Sequence, residues 1–231
     1  MCEHFAARAD EPFALRELWP FTERLERFGL AGFGWGAAWA TGDPTRPLAS
    51  YRDVRAFRDD PGGQTEVGAV ETTAVLVHLR RPSRLSTLGL ADTQPFDDPA
   101  GRFAFSHNGD LRDWRALRRR YQAEGRILGR ADSEVGERWL EDAWVEGEPV
   151  GHLLGAMHDR LGGQANLGVL TAAGTAWMYA GNGENPVFAF RLGGLRVVST
   201  GIYSLDRSLF RYCAPSATDR RLVPVRTTVP V

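Results

Sequence analysis

The sequence predicts an α+β domain in which mainly antiparallel sheets are covered by helices. From Gly34 onward the order is strands, then three consecutive helical segments, then strands, unlike the regular alternation of parallel βαβ units. Glycine-bearing turns separate the closing strands at short spacing, as antiparallel neighbours require. With 231 residues, 43% hydrophobic and 25% charged, the chain is long enough for one substantial core.

Taken in order, a short apolar start at Cys2 to Ala7 leads into Phe13 to Phe28, where apolar residues recur at helical intervals. Pro20 interrupts that pattern, so two short helices are expected around it. Gly34 to Ala40 reads as a buried strand whose glycines admit a close backbone or ligand. Thr41 to Gly68, with Pro44, Pro47, Pro61 and the pair Gly62-Gly63, reads as a long irregular excursion. Ala74 to Arg80 is a β-prone run, and Arg102 to His107 alternates toward an expected hairpin turn at Asn108-Gly109. Helices are expected at Asp113 to Glu124, Ser133 to Val145 and Gly151 to Leu161. Strands follow at Asn166 to Thr171, Ala176 to Ala180, Val187 to Leu192 and Leu195 to Thr200.

Composition removes several function classes. The formal net charge is −1 and no basic run dominates, so neither nucleic acid nor a membrane is an expected partner. Arg118 to Arg120 reads as the solvated face of a helix. All 28 basic residues are arginine, which excludes Schiff-base lysine chemistry and a Walker-type phosphate lysine. The first residues alternate charged and apolar and lack the continuous apolar core of a secretory signal, so a cytoplasmic location is expected. There, Cys2 and Cys213 are expected to stay unpaired, with Cys213 packing as a small hydrophobe. The five histidines show no ligand spacing, and neither a metal nor a cofactor is expected.

Cys2 follows the initiator methionine directly. Removal of Met1, which a small second residue allows, leaves a thiol and a free α-amine on one residue. A thiol near pKa 8.5 needs a base, and an α-amine near 7.7–8.0 is matched to take its proton.

Four features recur in order: Cys2, His78-Leu79-Arg80, His107-Asn108-Gly109 and Ala131-Asp132-Ser133-Glu134. Together they resemble the class II glutamine amidotransferases of the N-terminal nucleophile hydrolase superfamily, and Gly34-Trp35-Gly36 with Pro95-Phe96 is similar to that family's stand-alone members. The resemblance implies a four-layer αββα sandwich, here a single domain over residues 2–231. It implies a cysteine amidohydrolase that opens the γ-amide of glutamine or of a γ-glutamyl small molecule through a thioester on Cys2. Asn108 and Gly109 would stabilise the oxyanion, Arg80 would bind the substrate carboxylate and Asp132 its ammonium. His78 and His107 match motif positions as supports for Arg80 and Asn108, with His107 at the edge of the substrate site. Trp35 would wall the glutamyl pocket, or pack in the core.

Local readings stand beside these. Asn108-Gly109 is a hairpin signal as well as an oxyanion pair, and a turn would aim both groups. Asp132 ahead of Glu134 also reads as a helix start. The chain departs from the family pattern at Phe33 before Gly-Trp-Gly, at Pro82-Ser83 after the arginines, at Gln94 before Pro-Phe, and at Glu3. Two other functions fit the same motifs: an ammonia-delivering subunit of a separate synthase, and a non-catalytic γ-glutamyl-binding or regulatory protein.

Overall fold

The structure, a computed structural model, describes residues 2–202 and 207–231. Met1, whose removal the sequence predicts, lies outside the described residues. In chain order the strands are β1 (Glu3–Ala14), β2 (Trp35–Ala40), β3 (Leu48–Asp53), β4 (Glu71–Leu79), β5 (Phe96–Asp97), β6 (Phe103–Leu111), β7 (Gly163–Thr171), β8 (Ala176–Ala180), β9 (Val187–Leu192), β10 (Leu195–Thr200), β11 (Thr218–Leu222) and β12 (Thr227–Pro230). The helices are α1 (Trp19–Gly29), α2 (Pro61–Gly68), α3 (Trp114–Ala123), α4 (Asp132–Ala143), α5 (Val150–Leu161) and α6 (Phe210–Cys213).

Two antiparallel sheets face each other. The first has seven strands in the order β11-β9-β10-β1-β4-β2-β3, the second five in the order β12-β8-β7-β6-β5. Side-chain alternation then assigns three cores. Phe5, Ala7, Val75 and Val77 leave the outer face of the first sheet and pack with Phe21 and Leu25 of α1, Val67 of α2 and Phe210 of α6. Ala6, Ala38, Ala74 and Leu76 face inward against Ala104, Leu170, Ala176 and Met178 of the second sheet. Many of these are alanines, and small residues on both inner faces let two sheets close without bulky interdigitation. The outer face of the second sheet, with Phe103, Phe105, Leu167 and Val169, is covered by Leu140 of α4 and by Leu154 and Met157 of α5. The layers run αββα, as expected. Because β4 is buried on both faces, its sequence is a continuous apolar run rather than an alternating one. Among the described residues no helix is long and apolar enough to cross a membrane.

Three local expectations are corrected. The helical segment begins later than expected: Phe13 and Ala14 belong to the long β1, a short 3-10 helix at Leu15–Leu18 leads into α1, and Pro20 sits in the first turn of α1, where its missing N–H has no partner to lose. Thr41 to Gly68 is not irregular throughout: Leu48–Asp53 pairs with β2, and Asp60 caps α2 by accepting the Gly63 N–H. Asn108 and Gly109 are not a turn. They lie inside β6, opposite Asn166 and Ala165 of β7.

Candidate active site

Strand register carries the site. β1 is the central strand of its sheet, and its pairing Glu3↔Leu79 brings Cys2 alongside the end of β4, where Arg80 and Arg81 follow. The Cys2 sulfur accepts the Arg81 N–H at 3.2 Å. Two residues further into each strand, His4 and His78 form a cross-strand pair facing the second sheet. Both Nδ1 atoms meet one hydroxyl, Ser106 of β6, at 2.8 and 2.9 Å. A hydroxyl donates once and accepts from the other side, so one serine meets the Nδ1 of both rings and ties the sheets together, while both Nε2 atoms are buried without a partner among the described residues. With the sheets locked at Ser106, the two-residue repeat carries Cys2 and Asn108 to the same level, where the Asn108 amide donates to the Cys2 carbonyl.

The orientation of that amide follows from backbone donors. Asn166 Oδ1 accepts the N–H groups of Gly181 and Asn182, both at 3.0 Å, so its Nδ2 points away from them, toward the Asn185 carbonyl at 2.8 Å and Asn108 Oδ1 at 3.4 Å. Asn108 therefore turns its oxygen to Asn166 and its NH2 toward Cys2. One of those two protons reaches the Cys2 carbonyl.

A cavity of about 470 Å³ opens beside the thiol, lined among others by Cys2, Arg80, His107, Gly109 and Asp132. Arg80 is 3% exposed, and its guanidinium donates to the Thr87 and Gly89 carbonyls and the Thr93 hydroxyl, leaving two of its five N–H groups uncommitted. Asp132 opens α4 but caps nothing there. One of its oxygens accepts the Leu111 N–H at 2.7 Å, and the other has no hydrogen-bond partner among the described residues. His107 is held by Ser133 at 2.9 Å, and its backbone is clamped by Gln94, which accepts its N–H and donates to its carbonyl. Burial pushes the Cys2 thiol up, against the opposing pull of the Arg81 N–H and the Arg80 charge.

Trp35 does not line this cavity. It is fully buried in the outer helical core, its indole donating to Asp60 at 3.0 Å, because the outward face of β2 meets α1 and α2 rather than the second sheet. Asn108 also lies outside the cavity lining and reaches the site through the Cys2 backbone. Sequence reasoning missed Asn166, Asn185, Ser106 and the role of Glu3. Glu3 is buried beneath Cys2, held by Thr200 and by Asn185 Nδ2 at 3.3 Å. Polar residues interrupting otherwise apolar strands were the available signal.

Burial pushes the Glu3 carboxyl up to about 7, despite hydrogen bonds that favour its charged form. A folded value above the ordinary 4.5 means the native state holds the proton more tightly. Its stabilising effect is complete below 4.5 and is lost as pH rises to about 7. Burial of His4, pushed down to about 3, acts in the opposite sense as pH falls below 6.5, so the Glu3 effect is read against a variant. Glu3→Gln should gain about 3 kcal/mol on the wild type between the two Glu3 values, measured by denaturant melts across that range. A constant difference would show that Glu3 does not titrate there.

Neither a scan against protein-family models nor a search of curated proteins found a match. Among solved structures, the chain is similar to a glutamine phosphoribosylpyrophosphate amidotransferase from B. subtilis complexed with ADP and GMP, with TM-score 0.72, 17% identity, and coverage of 100% of this chain and 49% of that one. It is also similar to a structure described as the allosteric regulatory enzyme of purine biosynthesis, with TM-score 0.75, 18% identity, and coverage of 100% and 47%. A third is a glutamine aminotransferase class-II domain protein from Silicibacter pomeroyi, with TM-score 0.58, 17% identity, and coverage of 99% and 98%. The chain thus spans about half the length of the first two. The shared feature is the fold, an α+β, mainly antiparallel αββα sandwich.

Proposed function

We propose that this chain is an N-terminal cysteine amidohydrolase that cleaves the γ-amide of glutamine, or of a γ-glutamyl small molecule, through a γ-glutamyl thioester on Cys2. The supporting observation is convergence: a thiol, a guanidinium, a carboxylate and the glycine beside an oriented asparagine amide meet at one cavity, from four separate stretches of chain. An unrelated domain sharing these short motifs by chance would scatter them.

In this reading Met1 is removed and the Cys2 α-amine takes the thiol proton. The sulfur attacks the amide carbon, and the oxyanion is met by the second Asn108 proton and the Gly109 N–H. Collapse returns the proton to the departing amine and leaves the thioester, which water hydrolyses to glutamate and free thiol. The two uncommitted Arg80 N–H groups hold the substrate carboxylate and the free Asp132 oxygen its ammonium.

Intact mass spectrometry before and after incubation with 6-diazo-5-oxo-norleucine tests this directly. The expected result is loss of Met1 and one adduct on Cys2; a processed chain that takes no adduct and hydrolyses no γ-glutamyl amide overturns the proposal. Asp132→Ala should raise KM for the γ-glutamyl substrate by about 10- to 100-fold with little change in kcat, the loss of one charge-assisted contact. An unchanged KM removes Asp132 from substrate binding.

A further inference from the structure

We propose that the outer part of the cavity is a subsite for an anionic leaving group, so that the preferred substrates are γ-glutamyl amides whose amine half carries a carboxylate or a phosphate. This rests on the γ-glutamyl reading above and extends it to the other half of the substrate.

Six arginines line the cavity: Arg80, Arg81, Arg84, Arg112, Arg115 and Arg130. They come from three places in the chain, namely the segment after β4, the corner between β6 and α3, and the approach to α4. Three carboxylates, Asp92, Asp110 and Asp132, share the lining. Two of these already accept backbone N–H groups, Asp132 through one oxygen only. Asp92 accepts the Arg130 and Ala131 N–H groups, and Asp132 accepts that of Leu111. Among the described residues, none of the six guanidinium groups is ion-paired with a carboxylate. Elsewhere in the chain arginine pairs readily, as in the Arg120, Arg126, Glu124 and Asp142 network on the outer helices.

A bound γ-glutamyl group cannot account for this excess. It brings one carboxylate and one ammonium, which Arg80 and Asp132 meet in equal measure. Five guanidinium groups remain in the lining against two carboxylates, Asp110 and the backbone-bonded Asp92, so cationic groups stay in excess where the amine half must enter. One of them is held in place: the Arg115 guanidinium lies over the Trp114 ring, 5.1 Å from its centroid, and Trp114 itself lines the cavity. Arg118, also over that ring at 5.6 Å, donates to the Gly129 and Ala131 carbonyls and ties α3 to the segment carrying Arg130. The five are exposed residues at the cavity, and unpaired guanidinium forks bordering a concave site select planar or tetrahedral oxyanions. Carboxylate and phosphate share that chemistry.

The test compares kcat/KM for γ-glutamylglycine, γ-glutamylphosphoethanolamine, γ-glutamylethylamide and γ-glutamylethylenediamine on the intact, Met1-processed enzyme. At least one anionic substrate should exceed the neutral amide by about ten-fold or more, with the cationic amide slowest and the preference shrinking in high salt. The two anionic arms show which oxyanion is taken. Arg112→Glu with Arg115→Glu should shrink the ratio of anionic to neutral kcat/KM by about ten-fold or more. Equal rates on all four, or a cationic preference, overturn the subsite while leaving the γ-glutamyl reading intact. Failure to hydrolyse any of them overturns both.

Discussion

Replacing Cys2 with alanine is expected to lower γ-glutamyl hydrolysis by about 10,000-fold or more while leaving the fold in place. The size follows from covalent catalysis: without sulfur no thioester forms, and the α-amine alone has nothing to activate but water. The sparing of the fold follows from what the side chain touches. Cys2 is partly exposed at the cavity, and among the described residues its sulfur hydrogen-bonds to the Arg81 backbone alone, accepting its N–H at 3.2 Å and lying 3.6 Å from its carbonyl oxygen. Losing these should cost no more than about 1 kcal/mol. Cys2→Ser, which keeps the geometry with a poorer nucleophile, should retain a small fraction of activity and accept no alkylating label. Melts and label stoichiometry, measured beside activity, separate the possibilities. An alanine variant as active as the wild type removes the mechanism, and one that fails to fold gives Cys2 a structural role.

Cys2 is marked in the sequence by its position, and Arg80 and Asp132 by motifs that resemble the family's, since strand end and helix start alone would leave both as structural residues. The structure brings all three to one cavity. Asn108-Gly109 reads in the sequence as a turn and is not one, because Asn-Gly is a local hairpin signal and the ladder to β7 is not local. The supporting layer was hidden for the same reason. Glu3 and Asn185 are 182 positions apart, and Ser106 meets His4 across 102. No periodicity within a window records such contacts. Thr41 to Gly68 was misread in the other direction: its prolines and glycines suggested irregular chain, yet Pro61 sits in the first turn of α2, and β3 completes an edge of the sheet. Trp35 fits the sequence pattern equally well as pocket wall or core, and only the side of β2 that the helices cover decides between them.

Gly109→Ala is expected to be the most damaging single methyl in the chain's catalytic half. Gly109 adopts φ 124°, in the region disfavoured for any residue with a Cβ. An added Cβ would lie 1.7 Å from the Gln164 carbonyl oxygen, 2.9 Å from its carbon and 3.3 Å from the Ala165 Cα. All three are backbone atoms of the paired strand β7, so no side chain can rotate away. Relief requires β6 and β7 to part at the point where Asn108 is held by Asn166. Stability should fall by about 3 kcal/mol or more, and activity by a further 100-fold or more in the protein that remains folded, because the oxyanion donors move with the strand. Gly101→Ala is the control. Its φ of 71° carries the same kind of backbone strain, but no atom lies within 4 Å of the added Cβ. That substitution should cost only about 1–2 kcal/mol and leave kcat unchanged. If the two variants behave alike, the effect at Gly109 is backbone strain alone, and the close approach of β7 plays no part in positioning the site.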